Sequence, residues 1–217
     1  MLVQSPSRIF KSDLTFWKKE NACVVKEIFT DKGNSNLRKV SEIVVDENGT
    51  YDFQSQKNGI ILLIVLYGEI VINDFEKPIS TEQIFTLKSS ESNFLTLKNN
   101  LPSEKADVLI LELKSKSPES SFSIENLNLN KKNTLIQISK NLEYPNFIGL
   151  YEGRKEQEYF LYEKGKSVFG MVINGAFEFQ NRLMETRDAM ILTEIETLEF
   201  EAFVQSIKFG YSKFFEI

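Results

Sequence analysis

The chain has 217 residues, with 31 acidic against 26 basic side chains and a formal net charge of -5. That balance offers no overall positive field to nucleic acid or to an anionic membrane, and a hydrophobic content of 41% excludes a disordered polymer. Histidine is absent and cysteine occurs once, which excludes internal disulfides, multi-cysteine metal clusters and any Ser-His-Asp or Cys-His nucleophile system.

The opening residues lack the basic region and long apolar run of a secretory signal, and a lone cysteine suits a reducing compartment, so a cytoplasmic protein is expected. Short apolar or alternating runs follow at 22–29, 37–45, 60–66, 69–73, 83–87, 94–98 and 107–113, and none keeps a helical period for three turns. They are strands by pattern. Between them, Gly33, Asn48 with Gly49, and Asn58 with Gly59 supply residues that tolerate the positive φ of tight reversals. The run 59–67 is the most apolar of all, far too short to cross a bilayer as a helix, and reads as a central strand. Residues 115–133 are dominated by Ser, Asn, Lys and Glu and are expected to be a polar connection.

A second series, at 135–139, 147–151, 159–162, 168–173, 176–180, 189–192, 198–203 and 207–214, repeats the order of the first. Gly68 falls on Gly175, with Ile70 and Ile72 alternating after the first and Phe177 and Phe179 after the second. The segment 82–87 then matches 187–192. Matching elements in the same order predict two duplicated all-β modules, each resolving its sheet edges as a small barrel or sandwich.

Phe10, the stretch Asp13-Leu14-Thr15-Phe16-Trp17 and above all the segment 172–188 around Gly175 resemble the small bacterial pirin-related proteins, two-domain cupins often labelled after quercetin 2,3-dioxygenase. The resemblance implies a bicupin, a duplicated double-stranded β-helix with jelly-roll-like barrels; the repeat and the polar connection divide it as 1–114, a connection 115–133, and 134–217. It also implies an iron site built from a His-Pro-His segment, a glutamate and a later histidine. Counting back from Gly68 puts Gln54 and Gln56 at the two histidine positions and Ile60 at that of the glutamate; from Gly175 the same count reaches Leu161, Glu163 and Ser167. Oxygen-activating iron wants nitrogen ligands and an open coordination position, and amide oxygens supply no compensating charge. No metal and no cofactor are therefore expected.

Gln54 and Gln56, two apart on one strand face, and Glu163 in the second module are the expected ligand contacts. Glu152, Glu156 and Glu158 lie in a run of mixed charge without the spacing of a calcium loop, and Glu199 and Glu201 alternate with apolar residues as an outward face. Arg182, Arg187 and Asp188 read as structural ion-pairing groups, Cys23 as a buried inert thiol, and Phe16 with Trp17 as packing of an N-terminal arm. The expected function is a metal-free, non-catalytic module for a small-molecule ligand or a protein partner, with no role for nucleic acid or membrane. The alternatives are an oxidoreductase of the pirin or quercetin 2,3-dioxygenase type and a metal-free isomerase-like enzyme.

Overall fold

The computed structural model of the protein describes residues 5–31, 33, 35–73, 75, 77–161, 165–203 and 210–216. The chain runs through β1 (Ser7–Phe10), a single 3-10 turn (Ser12–Leu14), β2 (Trp17–Glu20), β3 (Cys23–Thr30), β4 (Leu37–Val45), β5 (Thr50–Gln54), β6 (Gly59–Tyr67), β7 (Glu69–Ile72), β8 (Ile79–Ser80), β9 (Gln83–Ser89), β10 (Phe94–Lys98), β11 (Ala106–Lys114) and β12 (Ser121–Asn126). It continues through β13 (Leu135–Gln137), β14 (Asn146–Tyr151), β15 (Glu156–Phe160), β16 (Val168–Asn174), β17 (Ala176–Phe179), β18 (Arg182–Glu185), β19 (Ala189–Leu192), β20 (Thr197–Ala202) and β21 (Gly210–Glu216). Among the described residues no helix is long and apolar enough to cross a membrane.

The strands form two compact units. The N-terminal unit, Thr15–Leu127 with Asn141–Glu143, holds a seven-stranded sheet ordered β12-β9-β6-β11-β4-β3-β2 and a four-stranded sheet ordered β5-β10-β7-β8. The C-terminal unit holds a six-stranded sheet ordered β1-β19-β16-β21-β14-β13 and a four-stranded sheet ordered β15-β20-β17-β18. The two small sheets repeat one another strand for strand, as duplication requires. The closed barrels expected from the sequence are not formed: each unit stays a pair of separate sheets, whose facing sides are filled by alternating apolar residues.

In both units one glycine carries the chain from the large sheet to the small one. Gly68, between β6 and β7, has φ +72, and Gly175, between β16 and β17, has φ +93. A Cβ at Gly68 would also lie 2.9 Å from the Lys105 carbonyl oxygen, so side chains are barred there twice over. Asn73 and Gln180, which follow at matched distance, take φ values of 50 and 47, and Asn48 and Asn58 fill the predicted left-handed turn positions.

The apolar run of β6 is explained by burial on both faces. Ile61, Leu63 and Val65 join the core between the sheets, while Ile60, Leu62 and Ile64 on the other face are equally buried. Where both faces are dry, the hydrophobic pattern is continuous rather than alternating. Strand β16 repeats this with Val168 and Val172 on the core side and Phe169 and Met171 on the other.

Two stretches lie where the sequence did not put them. Residues 115–133 contain β12, which pairs with β9 along its whole length from Ser121↔Lys88 to Asn126↔Gln83. The segment up to Leu14 belongs to the C-terminal unit, where β1 pairs with β19 from Ser7↔Leu192 to Phe10↔Ala189. This arm is fixed by side chains as well. Lys11 pairs with Asp188, whose other oxygen accepts the Ser12 amide at 2.8 Å, and Arg182 donates to the Ser5 carbonyl at 2.6 Å. Arg187 reaches the Ile173 carbonyl, so the basic residues after the second hairpin are structural, with backbone oxygens and one lysine-bound carboxylate as partners. Phe16 does not pack as expected and is 83% exposed; Trp17 is half-exposed and holds the Lys26 ammonium 5.6 Å from its ring centroid. In the N-terminal unit, Glu143 pairs with Lys88 and accepts the Lys116 amide.

Asp188 is 2% exposed, so its negative charge depends on the three donors it meets: the Lys11 ammonium and the amides of Ser12 and Glu185. The hydrogen bond to Asp188 raises the Lys11 pKa above its ordinary value of 10.5. A raised lysine pKa adds stability that is complete below the unfolded value and fades as pH climbs through the folded one. Replacement Lys11→Met is expected to destabilise the C-terminal unit by about 2–3 kcal/mol at neutral pH. It should also remove the part of the alkaline destabilisation due to this pair, as measured by denaturant unfolding between neutral pH and pH ~11.

Candidate functional site

The space between the sheets, where a cupin-like module would hold a ligand, is occupied by side chains in the C-terminal unit. Tyr151 on β14 projects inward, with ring centroids 6.1 Å from Phe177 and 5.1 Å from Phe200, both edge-on, and Phe179 stacks 5.7 Å from Phe200. Gly149, two residues earlier on the same strand face, makes this possible, since a Cβ there would run into the Tyr151 ring. Met184, Met190, Leu192 and Leu198 complete the core. The Tyr151 hydroxyl meets Gln157 Oε1, and burial pushes its pKa far up, so it stays a neutral donor.

In the N-terminal unit Tyr51 and Phe53 on β5 stack at 6.1 Å and lie against the core of Ile61, Leu63, Phe85 and Leu97. Burial is the main cause that pushes the Tyr51 hydroxyl up to about 12, with the negative charge of Glu20 adding to it. Glu112, in register with Ile61 and Lys39, has its carboxyl pKa raised by burial against the opposing pull of Lys39 and Arg38. Cys23 is buried, with its sulfur 2.9 Å from the Glu20 carbonyl oxygen, and burial raises its pKa; this thiol is not an activated nucleophile.

The expected ligand contacts are distributed differently. Gln54 ends β5 on the face opposite Tyr51 and Phe53, and Gln56 lies beyond the strand; both are exposed, while Ser55 between them is buried. Ile60 is buried in β6. Leu161 packs at the edge of the C-terminal core, and Glu163 lies outside the described residues. The chain has no histidine, and among the described residues no group of three or more Cys, Asp or Glu is placed to hold a metal ion. The side chains present therefore do not fit a nitrogen-ligated iron centre, and no iron-dioxygenase site is built from them.

A concave site lies on the outer face of the sheet β15-β20-β17-β18. Here Glu156 and Glu158 on β15, Glu199 and Glu201 on β20 and Glu178 on β17 surround a groove of about 530 Å³ with Gln180 and Asn181 at one end. Their convergence is a consequence of register. Glu156 and Glu178 each stand directly opposite Glu201, and Glu158 stands opposite Glu199. On β20 the residues between them, Leu198, Phe200 and Ala202, face the core, so the alternation read from the sequence aims the glutamates outward. None of the five forms an ion pair within the described residues. Like charges opposite one another on a sheet are each destabilising by a few tenths of a kcal/mol up to about 1 kcal/mol. The matching face of the N-terminal unit is mixed in character, with Asp52 accepting from the Thr96 hydroxyl at 2.6 Å and Lys98 on the neighbouring strand. The sequence showed Glu199 and Glu201 as an outward pair but did not bring Glu156, Glu158 and Glu178 beside them.

Because Gln54 and Gln56 are exposed, the double replacement Gln54→Ala/Gln56→Ala is expected to leave stability within about 0.5 kcal/mol of the parent, as measured by urea unfolding.

No protein-family model and no curated sequence matches the chain. Solved structures do. YhhW from Escherichia coli superposes with a TM-score of 0.81 at 11% identity, over 98% of this chain and 97% of that one. The bacterial pirin YhhW in complex with nickel(II), also from Escherichia coli, gives 0.80 at 12% over 97% and 98%. A quercetin 2,3-dioxygenase from Acinetobacter baumannii gives 0.69 at 10% identity, over 97% of this chain and 78% of that one. At these identities the likeness is one of fold: an all-β protein of two similar sheet-packed units.

Proposed function

We propose that the protein is a metal-free binding module, not an oxygenase, and that it engages cationic groups on the outer face of its C-terminal unit. The carrying observation is the aromatic packing of Tyr151, Phe177, Phe179 and Phe200 in the space where a cupin would keep a substrate, combined with a chain that has no histidine. A site without room and without nitrogen donors favours recognition at the surface. The groove framed by Glu156, Glu158, Glu178, Glu199 and Glu201 selects ammonium or guanidinium groups, because a cation there relieves three cross-strand repulsions at once. Its size suits a lysine or arginine-rich segment of a protein partner, or a polyamine carrying the same chemistry.

Two measurements test the two halves of this reading. Protein purified without a histidine tag and incubated with iron(II) or nickel(II) should consume no oxygen with quercetin above the buffer rate. Metal bound one per chain together with oxygen uptake would establish the dioxygenase reading instead. In calorimetric titration at low ionic strength, a decalysine peptide and spermine serve as probes of peptide and polyamine. At least one is expected to bind, with affinity falling about tenfold or more in Glu199→Gln/Glu201→Gln and on addition of salt beyond ~0.2 M. Absence of binding by both probes, or unchanged affinity in the folded double variant, would remove the groove from the proposal.

A further inference from the structure

The two large sheets have matching edge strands that come from different places in the chain. Strand β1 precedes the N-terminal unit in sequence yet completes the sheet of the C-terminal unit beside β19, while β12, which precedes the C-terminal strands, completes the sheet of the N-terminal unit beside β9. Since β9 and β19 occupy matching places in their sheets, β1 and β12 are equivalent donors. Only β1, however, is separated in sequence from the unit whose sheet it joins, since β12 follows directly within the segment Thr15–Leu127.

The arm that carries β1 has the features of a separable donor. Ser7, Arg8 and Ile9 are exposed, so the strand is held mainly by backbone pairing over four residues, the Lys11–Asp188 pair and the Arg182 contact to Ser5. The chain leaves the C-terminal unit after Leu14, through a stretch where Leu14 is 72% exposed, Phe16 is 83% exposed and Trp17 is half-exposed. Three large apolar side chains in four residues, continuous with the arm and uncovered, are costly to leave in water.

From these observations we infer that the arm is exchanged between two copies of the chain, β1 of each pairing with β19 of the other. The occupant of the uncovered hinge is then the same hinge of the second copy. All contacts of β1, Lys11 and Ser12 with β19, Asp188 and Glu185 are preserved on exchange, because the partner presents identical groups; only the course of residues 13–16 changes. A twofold dimer runs the two hinges side by side and buries Leu14 and Phe16 against their equivalents. Within one chain the arm competes at an effective concentration near the millimolar range, so the dimer forms at high protein concentration or during refolding and then persists.

The test uses the full chain with Arg8→Cys and Ile191→Cys together, a pair in direct register across β1 and β19, while the native Cys23 stays buried. Protein refolded and held at about 1 mM, then oxidised, diluted and run without reductant, is expected to give a disulfide-linked dimer. Light scattering on the unsubstituted protein treated the same way should give twice the monomer mass. Leu14→Ser/Phe16→Ser should lower the dimer fraction about tenfold with the monomer still folded. Intrachain-bridged monomer alone under all these conditions would overturn the inference, as would a dimer by mass whose cysteines are bridged only within chains.

Discussion

The architecture depends on one crossing in each unit, from a central strand of the large sheet to the small sheet, that the chain makes at a single residue. At Gly68 and Gly175 the backbone takes a left-handed conformation and turns from a strand buried on both faces into one that is buried on one face only. The turn sets the phase of the alternation that follows. Ile70 and Ile72, and in the second unit Phe177 and Phe179, therefore face the opposite sheet and close the core. A one-residue slip would turn that whole set to solvent, so a glycine at the crossing is a requirement of both sandwiches.

The crossing also decides what the interior can contain. In the C-terminal unit the inward positions of β17 and β20 carry phenylalanines, and Gly149 leaves room for the Tyr151 ring to lie among them. A small-molecule cavity and four interdigitated aromatic rings cannot share this volume. Solved structures of similar fold include a nickel(II) complex and a quercetin 2,3-dioxygenase, so the scaffold accommodates chemistry that these side chains do not build. Function follows the residues that line the sheets rather than the sheets themselves.

Core packing and surface charge are coupled through the period of the strand. With Phe200 inward, Glu199 and Glu201 point out; with Gln157 inward toward Tyr151, Glu156 and Glu158 do the same. Antiparallel register then sets these residues directly opposite one another, at a small cost in stability for each like-charge pair. Such juxtaposition is tolerated because the glutamates are partly or fully exposed to water.

Local pattern was sufficient for much of this. The runs at 37–45, 60–66, 94–98 and 189–192 coincide closely with strands, because apolar alternation or a bounded apolar block reflects burial directly. The duplicated hairpin was legible for the same reason, since Gly68 and Gly175 answer to a backbone demand that few other residues meet. Strand β12 was missed because its residues are mostly polar and exposed, and only its pairing with β9 makes it a strand. The outward position of Gln54 could not be read from its distance to Gly68, since the count in sequence does not reveal which face of β5 meets the core.

By itself, the sequence determined the all-β class, the duplication, the absence of histidine chemistry and the inertness of Cys23, each a matter of composition or short-range period. The tertiary structure alone decided that the sheets remain open pairs, that β1 completes the sheet of the C-terminal unit and β12 that of the N-terminal one, and that five glutamates from three strands share one groove. The physical reason is the range of the information. A residue's side of a strand is encoded by its neighbours two positions away, but its partner across a strand pair is chosen by edge hydrogen bonds and core packing among residues scores of positions apart.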